Sequence, residues 1–363
     1  MTPRKYYSNI IFTTSPITGH YRYSDLFQIY PIPFEDKLQF DKATHFPVII
    51  EYWIDENEKK KVSNPMFDGI EEFISTSTLQ NNWLYLLTRL LTVFTNHRFF
   101  LYDTERAWFF PLNTQITDAT PSNWGFKCYH YEGLIKKINI SSFSKIELPE
   151  ITRVKHLTYF QYPNIDDHTV DVTLSEHTDL LFKAYQMLTI EERKYFDAAI
   201  TLICNGQDLK YKMKSIAYLS FISSIETMSA LQFKEKQDDI KFQCDSCKLI
   251  KSSPYTCPEC NNPIWGISQQ FKQYLSMYLS TDPKLNSVLN KIYGIRSKIV
   301  HSGQLLLGDA FIDWDKQDQQ NKEFDTLLSL MQYSKLSICN WLILNAKDKA
   351  AANIGIATSG AGR

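Results

Sequence analysis

An α+β architecture follows from three features of the sequence. The first half is rich in β-branched and aromatic segments, the second half repeats its apolar residues at helical spacing, and two CxxC pairs fall between helices of that second half. Strand character grouped ahead of helical character argues for two successive domains. A chain of 363 residues is long enough for each to bury its own core. The boundaries expected are a mixed α/β domain over 1–172, an all-helical bundle over 173–346 with a cysteine insertion at 242–265, and an aperiodic, flexible tail over 347–363.

In the N-terminal domain, YRYSDLFQIY and HFPVIIEYWI have the composition of short strands, separated by turn residues such as Pro16, Gly19 and Pro31. The charged run Asp55 to Lys61 reads as a solvated hairpin tip. Trp83, Leu87, Leu90, Leu91 and Phe94 then mark an amphipathic helix over 77–96, and HRFFLYD and RAWFFPL return to strand character. His97-Arg98 and the set Asp166, Asp167, His168 and Asp171 have no ligand spacing and read as a strand edge and a solvated turn. This half shows no nucleophile elbow, phosphate-cradling glycine loop or spaced carboxylate pair.

From Thr173 onward the pattern is helical. One helix is expected over 179–188, and a second opens at Thr189, where Thr189 and Glu192 have capping-box spacing, and stops near Cys204 at Asn205-Gly206. SIAYLSFISSIETMSAL, residues 215–231, is apolar almost all round, as a central core helix is, and its Glu226 needs a partner. Further helices are expected over 267–279 and 324–346. Between them, Asp282 is an N-cap, Pro283 a first-turn proline, and Ser302-Gly303 a helix end. In this last helix Leu285, Val288, Leu289, Ile292, Ile295 and Ile299 form one apolar stripe, and Arg296 falls inside it. An arginine cannot shed its charge, so Arg296 requires a carboxylate, for which Glu226 is the candidate, or a phosphate.

With 39 basic and 40 acidic residues the composition excludes wholesale coating of nucleic acid. Local positive charge is nevertheless present: Lys284, Lys291, Arg296 and Lys298 occur between Pro283 and Gly303 with no acidic residue among them. The N-terminus has no apolar run of signal-peptide length, and the most apolar stretch, LYLLTRLLTVF, is interrupted by Arg89, so a soluble, cytoplasmic protein with no membrane association is expected. Cys244-x2-Cys247 and Cys257-x2-Cys260 can bend four thiolates onto one Zn2+ per chain. Such a closed site would be structural; a pair of disulfides is the alternative, disfavoured in a reducing compartment.

The helix text YGIRSKIVHSG, an R-x4-H beside a helix end, resembles the signature of the HEPN ribonucleases, and with the four-cysteine knuckles upstream it resembles the Apea-like branch. The resemblance covers roughly 173–346. It implies an all-α HEPN bundle with a zinc-knuckle insertion and a metal-independent endoribonuclease, which cleaves RNA through attack of the ribose 2′-hydroxyl on the neighbouring phosphate to leave a 2′,3′-cyclic phosphate. By the same resemblance His301 transfers protons, Arg296 holds the phosphate, and Glu226 and Ser297 complete the catalytic set. Lys298, Lys291 and Tyr293 would contact the RNA substrate. Many family motifs carry Asn, Asp or His where Ser297 stands. Residues five apart on a continuous helix point about 140° from each other, so Arg296 and His301 of one chain meet only if the helix unwinds at Ser302-Gly303; the preferred expectation, which the resemblance also implies, is that two motifs converge across a homodimer. The family also implies antiphage, abortive-infection defence, with a phage-derived trigger acting on the N-terminal sensing or substrate-selecting domain. The alternative expectation is a catalytically silent HEPN module that binds RNA or protein as a dimeric scaffold.

Overall fold

The computed structural model describes residues 4–32, 46–55, 71–101, 107–109, 127–129, 139–161, 169–234, 242–243, 248, 250–251, 266–280, 282–309 and 314–359. The architecture is α+β. The chain divides into one unit of residues 1–159 and 164–178 and a second of residues 160–163 and 179–363.

The first unit is built on an antiparallel pair of long strands, β1 (Arg4–Thr13) and β4 (Phe46–Asp55), in register from Arg4 opposite Asp55 to Thr13 opposite Phe46. Between them in sequence lie β2 (Tyr21–Tyr23) and β3 (Phe27–Pro31), and the sheet order is β2-β3-β4-β1-β5, where β5 is Phe99–Phe100. A short turn with Ser24 at φ 50° joins β2 to β3. Helix α1 (Glu71–Phe94) buries Leu84, Leu87, Leu90, Leu91, Val93 and Phe94, and its Thr92 hydroxyl donates to the Phe99 carbonyl at 2.9 Å. Strands β6 (Ala107–Phe109) and β7 (Lys127–Tyr129) pair with each other, and β8 (Asn139–Ile140) adds to β1. Strand β9 (Arg153–Val154), the single turn α2 (His156–Tyr159) and β10 (Leu174–Ser175), parallel to β9, complete the unit. Tyr7, Ile11, Phe12, Phe27, Ile29, Val48, Ile50 and Tyr52 are buried, so the aromatic and β-branched residues that give strand propensity also supply the core.

The second unit is helical: α3 (Thr178–Gln186), α4 (Ile190–Leu209), α5 (Lys214–Phe233), α6 (Ile267–Tyr278), α7 (Pro283–Ser302) and α8 (Gln317–Ser359). A two-stranded antiparallel ribbon, β11 (Phe242–Gln243) with β12 (Ile250–Lys251), lies between α5 and α6 in the chain, and a 3-10 turn at Trp314–Lys316 leads into α8. The capping box at α4 is formed: Thr189 Oγ1 accepts from Glu192 N, and Glu192 Oε2 accepts from Thr189 N. Helix α5 is the centre of the unit and packs against α4, α6, α7 and α8. Ala217, Tyr218, Phe221, Ile222, Ile225 and Met228 are buried along one face, and Ile216 on the opposite face is exposed, so burial is one-sided where the sequence implied a helix apolar almost all round.

Two expectations are corrected here. Asn205-Gly206 does not stop α4, which runs to Leu209 with Gly206 buried inside it. A Cβ at Gly206 would sit 2.6 Å from Cε1 of Phe221, so the glycine serves a close approach of α4 and α5 rather than a turn. The tail does not lose its helix at residue 346: α8 continues to Ser359, because the alanine-rich run after Asp348 sustains a helix by intrinsic propensity without apolar periodicity.

Helix α5 begins without a cap of its own, since Met213 makes no side-chain bond there. Asp309, from the segment after α7, supplies it: Oδ1 accepts from Lys214 N at 2.7 Å and Oδ2 from Ser215 N at 2.8 Å. Ser215 Oγ in turn accepts from Leu306 N at 2.7 Å. The chain beyond the end of α7 is thereby fastened to the start of α5.

Gly206→Ala tests the α4–α5 contact because two effects oppose. Helix propensity favours alanine by about 1 kcal/mol, whereas overpacking against a fully buried ring costs about 1–3 kcal/mol. The variant is expected to unfold at a lower temperature than the parent in a melt followed by far-UV circular dichroism, and a raised midpoint would contradict the close approach.

Candidate functional site

The site forms where α5 meets α7. Asp282 Oδ1 caps α7 by accepting from Lys284 N at 2.9 Å, Pro283 occupies the first turn, and Gly303 ends the helix at φ 63°, a left-handed conformation that a residue without a Cβ adopts freely. Leu289, Ile292 and Ile299 are the buried residues of α7. The stripe is thus narrower than its sequence implied: Val288 is exposed, because the helix touches the bundle along one edge and solvent covers the rest. Tyr218, on α5, donates its hydroxyl to the Ile292 carbonyl at 2.8 Å, one turn before Arg296, and burial drives its phenol pKa upward.

Arg296 finds the carboxylate that its fixed charge requires. Its Nε lies 3.6 Å from Glu226 Oε1, with the two side chains 21% and 19% exposed. That separation is longer than a close charge-assisted bond, and Glu226 is shared: Tyr293 donates its hydroxyl to the same Oε1 at 3.0 Å. The Arg296 guanidinium carbon lies 5.5 Å from the centre of the Tyr293 ring, which packs against Phe271 of α6 at 5.3 Å. Lys272 Nζ donates to Asn290 Oδ1 at 2.9 Å and ties α6 to α7 again.

Arg296 and His301 of one chain do meet, contrary to the expectation from helical angles. Arg296 Nη1 lies 3.5 Å from His301 Nε2, at the outer limit of hydrogen bonding. The 140° divergence holds for the Cα–Cβ directions, and two long side chains leaning along the same helix close it. A guanidinium only donates, so any hydrogen bond between them has His301 Nε2 as its acceptor. The Nη2 group of Arg296, the second oxygen of Glu226, the Ser297 hydroxyl and the His301 Nδ1 have no partner among the described residues. His301 is exposed, and Lys291 and Lys298 extend into solvent on the same helix. The structure therefore gathers Arg296, His301, Glu226 and Tyr293, leaves Ser297 beside them on α7, and turns the Tyr293 hydroxyl onto Glu226 rather than outward.

Three contributors have no signal in the sequence. Tyr218 and Phe271 carry no motif and are identified only by packing, and Asp309 lies in a loop whose distance from α5 in sequence hides its capping role. Of the groups without ligand spacing in the first unit, His97 is buried, with Nδ1 3.0 Å from Ser15 Oγ and Nε2 accepting from Thr173 N at 3.1 Å, so it joins segments rather than binding a ligand. Asp171 accepts from Thr18 Oγ1 at 3.1 Å, whereas Asp166, Asp167 and His168 lie outside the described residues. Cys244, Cys247, Cys257 and Cys260 also lie outside them. Among the described residues no group of three or more His, Cys, Asp or Glu side chains is placed to hold a metal, and no helix is long and apolar enough to cross a membrane.

Comparison with protein-family models, with curated proteins and with solved structures gives no match for this chain. Its functional reading accordingly rests on the α5–α7 site.

Burial and the neighbouring Glu226 carboxylate push the Tyr293 phenol up to about 12, so its hydroxyl remains a donor across the physiological range. The folded state therefore holds the proton more tightly than the unfolded chain, whose tyrosines ionise near pH ~10. This contribution to stability is complete below pH ~10 and is lost as pH rises from there toward about 12. In thermal melts between pH 9 and 12, on the order of that window, Tyr293→Phe should show a shallower alkaline fall in midpoint than the parent. Identical slopes would separate the phenol from Glu226.

Proposed function

We propose that the chain is a HEPN-type endoribonuclease of the Apea-like kind, acting without a catalytic metal through Arg296 and His301. The observation that carries this reading is the pairing of a fixed cation, with donors left unoccupied, and an imidazole nitrogen 3.5 Å from it on an exposed helix end. A guanidinium offers a planar fork of donors to phosphate oxygens, and an imidazole exchanges protons near neutral pH.

In the proposed reaction Arg296 holds the scissile phosphate through Nη2 and stabilises the charge that builds on its non-bridging oxygens. The Nε2 of His301, released by Arg296 as the guanidinium turns to the phosphate, takes the proton of the ribose 2′-hydroxyl, the 2′-oxygen bonds to phosphorus, the bond to the 5′-oxygen breaks, and the departing oxygen takes up a proton. Glu226 and Tyr293 position the guanidinium. Ser297 is within reach of a phosphate bound beside Arg296, and Lys291 and Lys298 supply non-specific attraction for the RNA backbone.

A homodimer through α7 belongs to the same proposal. Gly294 is an exposed glycine in mid-helix, and a Cβ added to it would meet nothing within 4 Å, although glycine there disfavours the helix by about 1 kcal/mol relative to alanine. No contact among the described residues requires it, whereas a second α7 could lie close against it. The helical unit would thus be the HEPN bundle, and the first unit the sensing or substrate-selecting domain. Antiphage defence and a phage-derived trigger remain implications of the family resemblance.

A structural Zn2+ fits the insertion. The residues bracketing Cys244 and Cys247 are hydrogen-bonded strands, with Phe242 opposite Lys251 and Gln243 opposite Ile250, and Lys248, next to Cys247, has φ 60°. Cys244, Cys247, Cys257 and Cys260 would hold the ion, which would cross-link the insertion and take no part in RNA cleavage.

Purified protein incubated with bulk RNA in a chelator should leave 2′,3′-cyclic phosphate ends. Arg296→Ala and His301→Ala should each lower the rate by about 10²–10⁴, while both variants retain the parent's thermal midpoint within a few degrees. Intact RNA with the parent protein would favour the silent scaffold instead. Elemental analysis should find one zinc per chain, lost together with the stability of the helical unit in Cys244→Ser, and metal-free parent protein would refute the knuckle assignment.

A further inference from the structure

A cavity of about 510 Å³ opens in the helical unit, where the C-terminal turns of α5 and α6 face the N-terminus of α4 and the middle of α8. Its size suits one small organic ligand. Gln232 lies in its wall with its amide orientation fixed. Oε1 accepts from both the Tyr278 hydroxyl at 2.7 Å and the Trp341 indole nitrogen at 2.9 Å, and an indole N–H can only donate. The Nε2 group consequently presents its hydrogens with no acceptor among the described residues. Such a donor, half-buried and unused, is matched by a ligand that brings an oxygen acceptor.

The charged groups around the cavity divide in two. Glu191 pairs with Lys234, and Glu192 with Lys349, so these four are mutually satisfied. Asp348 has no cation or hydrogen-bond donor among the described residues, and it lines the same cavity. Carboxylates outnumber lysines in the lining, which disfavours a phosphate-bearing ligand. Met277 and Leu344 expose apolar surface for a flat ring, and Tyr278 and Trp341 are buried in the wall behind them.

We propose that this cavity binds guanine, presented as a nucleoside, with O6 accepting from Gln232 Nε2 and the N1–H and N2–H donors facing Asp348. Guanine places a carbonyl oxygen acceptor beside two N–H donors on one edge, which is the complement of an amide donor and a free carboxylate. Adenine carries an amine where guanine has O6, so it would set donor against donor. The site is separate from Arg296: Gln232 follows Glu226 by six residues on α5, about 9 Å along the axis and on another face of the helix.

Isothermal titration of the full-length protein with guanosine and with adenosine tests this. Guanosine should bind saturably and adenosine at least about tenfold more weakly. Gln232→Leu should abolish binding, although it also removes the acceptor shared by Tyr278 and Trp341. Asp348→Ala is therefore the sharper variant, since it alters an exposed helical position. It should weaken guanosine by about tenfold or more with an unchanged melting temperature. Arg296→Ala should bind guanosine as the parent does, whether or not RNA cleavage is observed. Absence of guanosine binding, equal affinity for adenosine, unaltered affinity in Asp348→Ala, or loss in Arg296→Ala would each overturn the proposal.

Discussion

A guanidinium cannot lose its proton to escape burial, and the helical unit is arranged around that constraint. Arg296 is only 21% exposed, beside the buried edge of α7, and Glu226 of α5 answers its charge. The answer is partial. The ion pair runs through Nε at 3.6 Å rather than through the outer fork, and Tyr293 claims the same carboxylate oxygen at 3.0 Å. A carboxylate already receiving a phenol hydrogen bond pulls less strongly on the cation. The result is an arginine neutralised enough to tolerate its surroundings, while its outer nitrogens keep donors for a second anion.

This balance depends on α5 being held by four neighbouring helices and a cap. Phe221 lies against Gly206 of α4, Tyr218 reaches the Ile292 carbonyl of α7, Gln232 gathers Tyr278 of α6 and Trp341 of α8, and Asp309 caps the first turn. A shift of α5 along its axis would break these contacts together, so the position of Glu226 is set by packing at both ends of its helix. The Asp309 cap links this to the motif itself, because the segment that leaves α7 after Gly303 returns to fix the start of α5.

Local chemistry is legible in the sequence and long-range chemistry is not. The capping box at Thr189, the Asp282 cap with its proline, the left-handed Gly303 and the core character of α5 are fixed by residues within one or two turns, and each appears where its sequence signal stands. Gly206 misleads because a glycine needed for a turn and one needed for a neighbouring ring look alike until the neighbour is known. The extent of α8 is hidden because alanine sustains a helix with no apolar stripe to reveal it. In the first unit Glu51 is wholly buried and held by Gln28, Tyr30 and Ser144, an arrangement that joins distant segments and has no local signature. The Arg296–Glu226 pair is readable for a different reason: a charge forced into an apolar stripe announces that it needs a partner.

The contact between Arg296 and His301 also changes what a dimer would be for. If the two side chains could not meet within a chain, a second copy would be needed simply to assemble one site; since they do meet, that need disappears. In-line transfer at phosphorus sets the attacking 2′-oxygen and the departing 5′-oxygen on opposite sides, beyond the reach of a single imidazole at one instant. One imidazole can accept the first proton, but a second group must deliver the other. Under the ribonuclease proposal, a partner copy packed along α7 would contribute that group, and the two guanidiniums would flank the phosphate. On this view each subunit brings its own arginine and histidine, and dimerisation supplies the second proton carrier rather than the missing half of a site.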